Sequence, residues 1–162
     1  MAEIRFYQLL TRPLEAVLPV MLQKSLARGW RSVVRAGGPE RLPALDRHLW
    51  TWSDESFLPH GRAGAGPEPA AANPIWLTTG PELPNAPAAL FLVDGAEAAL
   101  DAADLAALSG LETVAILFDG TDQTALGQAR AAWRQVTGAG LTAVYWAEAP
   151  GGGWERKAES GG

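Results

Sequence analysis

The sequence predicts an α/β domain with a largely parallel sheet and helices on both faces, on three observations. Residues 89–94 (ALFLVD) and 112–119 (ETVAILFD) are apolar runs without polar alternation, as expected of strands buried on both sides in the middle of a parallel sheet. Elsewhere, apolar residues recur at spacings of three and four, the mark of a helix with one buried face. These two kinds of segment alternate along the chain, the order that builds crossovers around a parallel sheet.

Taken in order, residues 4–10, with Phe6 and Tyr7, read as the first strand. Thr11-Arg12-Pro13 starts a helix, with Thr11 as its candidate cap. Leu14, Val17, Leu18, Met21, Leu22 and Leu26 make its apolar face; Pro19 inside it predicts a kink or an early break, and Arg28-Gly29 closes it. Residues 30–36 are a second strand and 39–52 a second helix with Leu42, Leu45, Leu49 and Trp52 on one face. Residues 53–73 form a loop, long enough to suggest a functional segment. A third strand covers 75–79, and the two apolar runs are the fourth and fifth, with a short Ala-rich helix at 100–108 between them. The last long helix, 121–137, turns Leu126, Ala129, Trp133 and Val136 to one side, and a final strand spans 141–146. The domain thus occupies residues 1–148, and 149–162, with Gly151-Gly152-Gly153, reads as a disordered tail.

Composition removes several functional classes. The absence of cysteine excludes disulfides and thiolate metal sites. A net charge of −5 disfavours gripping a phosphate backbone along an extended face, so no direct nucleic-acid contact is expected. No apolar stretch is long enough for a bilayer, and the N-terminus lacks a basic and then apolar signal, so a cytoplasmic protein without membrane association is expected. Seven tryptophans are many for this length; they either pack the core and edges or line partner pockets.

Sequence patterns that could carry catalysis are incomplete. The first strand ends in Leu10-Thr11-Arg12-Pro13, with no glycine to let a pyrophosphate approach the backbone, so the pattern is Rossmann-like without the nucleotide fingerprint. Leu117-Phe118-Asp119-Gly120-Thr121 has the outline of an aspartate-nucleophile phosphatase motif, but Leu117 stands at the nucleophile position. The alternative is a strand-to-helix turn with a cap. Asp46, His48, Asp54, Glu55 and His60 could hold a metal or do acid–base work, yet Asp46 and His48 are two apart and so face different sides of a helix.

The segment ending the second helix is more specific. Leu49-Trp50 is followed by Glu55-Ser56-Phe57-Leu58-Pro59-His60 and then Ala63-Gly64-Ala65-Gly66. With Phe6-Tyr7 in the first strand, Gly29-Trp30-Arg31 opening the second and Trp146 ending the last, the chain resembles the chi subunit family of bacterial DNA polymerase III over residues 1–147. The resemblance implies a three-layer α/β/α fold, no cofactor, no enzymatic activity and membership of the clamp-loader assembly in DNA replication. It implies two partners: the psi subunit and the acidic C-terminal tail of single-stranded-DNA-binding protein. The psi-facing candidates carried over are Phe57, Leu58, Pro59, His60, Gly64 and Gly66; Arg62 and Ala65 depart from the family's apolar and acidic residues. Phe57 and Leu58 either enter a partner's groove or fold back as anchors of the loop.

For the acidic tail the candidates are Arg130, Trp133 and Arg134. A peptide ending in an aromatic residue and its carboxylate needs a cation beside an apolar pocket. Arg130 and Arg134, four apart, share a helix face, and Trp133 can wall the pocket. Gln128, Ala131 and Ala132 stand where the family carries basic or aromatic residues, so the pocket is displaced here. The competing reading is a solvated arginine pair with Trp133 in the core. Two other functions stay open: a small metal-dependent hydrolase using Asp54, Glu55 and His60, and an interaction module for some other partner.

Overall fold

The computed structural model describes residues 3–52, 58–64 and 70–159. Along the chain run β1 (Glu3–Leu9), α1 (Leu14–Ala27), β2 (Ser32–Ala36), α2 (Arg41–Thr51), β3 (Gly61–Arg62), β4 (Ile75–Thr78), β5 (Ala89–Val93), α3 (Ala102–Leu108), β6 (Thr113–Asp119), α4 (Gln123–Gly138), β7 (Thr142–Glu148) and β8 (Trp154–Glu159). The described strands form one sheet in the order β3-β4-β2-β5-β6-β1-β7-β8. All its pairings are parallel except β7 with β8.

The period-two alternation of each strand sorts its side chains between two cores. Ile4, Phe6, Leu90, Leu92, Val114, Ile116 and Phe118 pack on one side with Ala129, Ala132 and Val136 of α4 and Leu108 of α3. Leu9, Phe91, Val93, Ala115 and Leu117 pack on the other with Val17, Leu18 and Leu22 of α1 and Leu42, Leu45 and Leu49 of α2. The result is the three-layer α/β/α arrangement expected from the unbroken apolar runs.

Two helix ends follow simple backbone chemistry. Gly29 and Gly140 sit just past α1 and α4 at φ +79° and +83°, the left-handed conformation that glycine adopts without a Cβ penalty. There the next residue's N–H, of Trp30 or Leu141, turns back to Ser25 O or Val136 O. The start of α1 differs from the sequence reading. The residue preceding the first turn of α1 is Pro13 rather than Thr11, with no side-chain cap.

Pro19 neither breaks nor ends α1, which runs through to Ala27. A proline at this position cannot donate to the carbonyl four residues back, that of Glu15. The His48 ring of α2 hydrogen-bonds through Nε2 to that same Glu15 carbonyl. The neighbouring helix thus supplies the donor that Pro19 lacks, and a histidine considered for chemistry joins α1 to α2.

The tail expectation changes most. Within 149–162, Trp154–Glu159 form β8, paired antiparallel with β7 from Glu148↔Trp154 to Val144↔Glu159. Trp154 explains the return of the chain: its ring meets Tyr7 edge-on at 5.0 Å, with the Arg12 guanidinium 5.4 Å above it.

Candidate functional site

The turn after β1 is where α/β sheets with this topology commonly bind phosphate, through backbone N–H groups at the start of the next helix. In this chain the N–H groups of the turn itself, ahead of α1, are already used. The Glu148 carboxylate, at the end of β7, accepts from the N–H of Leu10 (2.8 Å), Thr11 (3.2 Å) and Arg12 (3.2 Å). It also accepts from the Thr11 hydroxyl at 3.0 Å and from Arg12 Nε at 2.9 Å. Its side chain is 2% exposed. Burial pushes the Glu148 carboxyl up, but Arg12 and the three backbone donors outweigh it and hold it at about 2. An internal carboxylate thus takes up the backbone donors of this turn.

The Asp119-Gly120-Thr121 sequence is a turn. Asp119 accepts from the N–H (2.8 Å) and hydroxyl (2.6 Å) of Thr121, while Asp122 caps α4 by accepting from Thr124 N–H at 2.9 Å. Leu117, at the would-be nucleophile position, is buried.

The corner between α2 and β3 holds the second group of candidates. Leu58 is 1% exposed and packs in the core with α1 and α2, so it folds back rather than offering itself to a partner. His60 is buried as well. Its Nδ1 lies 2.6 Å from Leu58 O, and its Nε2 faces both Asp46 O at 3.1 Å and Asp46 Oδ1 at 2.8 Å. With both ring nitrogens engaged, neither is available to a metal. Arg62, which departs from the family pattern, pairs through Nε with Asp46 Oδ2 at 3.2 Å. Pro59 is half-buried and Gly64 exposed, whereas Phe57 and Gly66, like Asp54 and Glu55, lie outside the described residues. Among the described residues no three His, Asp or Glu side chains are grouped to hold a metal ion. The exposed Trp50 ring lies against His60 with centroids 4.2 Å apart.

The third group does come together. Arg130, Trp133 and Arg134 line one hollow of about 380 Å³ with Phe118, Leu126, Ala129, Tyr145, Lys157 and Ala158. Its floor is aromatic: Trp133 meets Phe6 at 5.3 Å and Tyr145 at 6.3 Å, and Tyr145 meets Phe118 at 5.9 Å. The Tyr145 hydroxyl is held in place by donating to Gln8 Oε1 at 2.6 Å. Burial pushes that hydroxyl's pKa up and the nearby Arg130 charge opposes the rise. Arg130 and Arg134 are both exposed, and neither makes an ion pair among the described residues. Among the described residues, no carboxylate lines the hollow.

Trp133 is therefore both core and wall, half-buried with one edge in the groove. Gln128, Ala131 and Ala132 line a different hollow with Glu97, Ala98 and Gln135, on the other flank of α4. Sequence reasoning missed Phe118, Tyr145 and Lys157. The first two lie on strands whose outward faces no helix periodicity could mark, and Lys157 lies in the segment that read as tail.

The model of the family described as DNA polymerase III chi subunit, HolC, matches residues 1–144. The chain belongs to the DNA polymerase III chi subunit family. No curated protein matches it. As a chi-family chain it is an accessory subunit of a DNA-replication polymerase. The match covers β1 to the middle of β7 and every helix, but ends before β8. No described helix is long and apolar enough to cross a membrane.

Proposed function

We propose that this chi-family chain is a non-catalytic adaptor that ties the clamp loader of DNA polymerase III to single-stranded-DNA-binding protein, by holding that protein's acidic C-terminal tail in the groove on α4. The carrying observation is the groove itself: two exposed arginines without acidic partners among the described residues stand over an aromatic floor on a chain whose net charge is −5. Cations left unpaired on an acidic protein favour an acidic ligand, and Phe118, Trp133 and Tyr145 offer rings for its terminal aromatic residue. The test is titration of the protein with a peptide of that tail at several salt concentrations. Binding that weakens with salt and is lost in Arg130→Ala combined with Arg134→Ala supports the reading; salt-independent binding, or none, overturns it.

The psi subunit is proposed at the α2–β3 corner, where Trp50, Pro59 and Gly64 keep exposed surface while Leu58 and His60 hold the backbone. Capture of the psi subunit encoded with this chain should fall in Trp50→Ala while tail binding is unchanged. Full capture by Trp50→Ala combined with Gly64→Asp would remove this surface from the interface.

A further inference from the structure

β8 lies beyond the residues that the family model matches, yet it forms one wall of the groove. Its register accounts for this. Tyr145 pairs with Ala158 and Trp146 with Arg156, so Lys157 is an extra residue between two paired ones. In a regular strand, adjacent side chains point to opposite faces, and Lys157 and Ala158 could not both face the same hollow. A bulge breaks the alternation and re-aims a side chain. Both Lys157 and Ala158 line the groove with Trp133 and Tyr145.

The residues around the bulge keep β8 in place. Trp154 packs on Tyr7 and Arg12, and the Arg156 guanidinium stacks 5.1 Å from the Trp146 ring centroid. Arg156 also pairs with Glu159 at 3.2 Å. Lys157 is held less firmly: its Nζ lies 3.3 Å from Glu155 Oε1, with both side chains half exposed to water. Such a surface pair contributes little, so the ammonium is free to take another carboxylate.

We infer that β8 is a working wall of the acidic-peptide groove and that Lys157, placed there by the bulge, is its third cationic contact. This rests on the adaptor reading above and adds to it. Arg130 and Arg134 approach the bound peptide from α4, and Lys157 approaches from the sheet edge, so the peptide's carboxylates are held from two sides of the aromatic floor. The ligand class is narrowed accordingly: a segment with more than one carboxylate and an apolar or aromatic residue among them, rather than a single carboxylate alone.

The test uses the full chain and the tail peptide of single-stranded-DNA-binding protein. Lys157→Gln, which keeps the length of the stem, should weaken binding roughly five-fold and reduce its salt dependence. Lys157→Arg should bind as the parent does, and Lys157→Glu should weaken binding more than Lys157→Gln. If Lys157→Gln and Lys157→Glu both bind like the parent while Arg130→Ala with Arg134→Ala does not bind, the β8 contact is wrong and the adaptor reading stands. If the parent itself does not bind the peptide, both are wrong.

Discussion

The α2–β3 corner and the α4 groove both carry basic side chains beside aromatic rings, but they treat their charge in opposite ways. At the corner, His60 and Arg62 both converge on Asp46, and each has its partner inside the chain. In the groove, Arg130 and Arg134 have no acidic partner among the described residues, and their aromatic floor is open. The same residue types therefore do different work. A basic group whose acceptor is internal fixes backbone, and one without an internal acceptor leaves attraction available to a ligand. The corner was the more recognisable segment in sequence, yet much of its described part is anchoring.

This contrast is tested first by Leu58→Ala, which removes a fully buried side chain from the corner. It should lower unfolding free energy by about 3 kcal/mol in urea titrations and leave peptide affinity unchanged. An affinity loss at concentrations where the variant is folded would mean that the two regions are coupled. Next, Arg130→Ala with Arg134→Ala should weaken tail binding by about 100-fold, or about 2.7 kcal/mol, without shifting Tm. A large drop in Tm would make the arginines structural and erase the contrast.

Glu148→Gln should cost about 2 kcal/mol, because the neutral side chain cannot replace the carboxylate among five donors. The pH dependence has a definite sign. The Glu148 carboxyl is held at about 2 in the folded chain, below its ordinary value of 4.5. Its contribution is therefore complete above the unfolded value and is lost as pH falls from about 5 towards 2. That part of the acid slope should vanish in Glu148→Gln, which chemical denaturation across pH would reveal. Smallest is Asp46→Asn, expected to cost about 1 kcal/mol because Asp46 and Arg62 are partly exposed, although His60 is buried. An effect on tail binding would contradict the separation of the regions.

Much of the fold was legible because local and global signals agree. The apolar runs of β5 and β6 are buried on both faces, and the three–four spacing of α1, α2 and α4 matches the sides that pack. Pro19 misled because the donor that completes the ladder, His48, comes from another helix. β8 was missed because glycines precede it and five of its six residues are exposed; what holds it is pairing to β7 and the Trp154–Tyr7 contact, both non-local. The arginine pair and Trp133 were legible once the family resemblance pointed to the last long helix, where i, i+4 spacing puts both arginines on one face. Their floor was not, since Phe118 and Tyr145 reach it through sheet register.

The place of β1 has a consequence for how the chain acquires its structure. Glu3 sits beside Thr113 and Thr142, so the earliest strand has both of its neighbours among the latest. The carboxylate that binds the turn after β1 is later still, at residue 148. During synthesis, Ile4, Phe6 and Leu9 leave the ribosome before the strands they pair with, and β2, β4 and β5 can assemble with one another first. Insertion of β1 between β6 and β7 then closes the sheet in a late step that spans most of the sequence, the kind of non-local closure that slows folding and leaves a sticky strand exposed in the meantime.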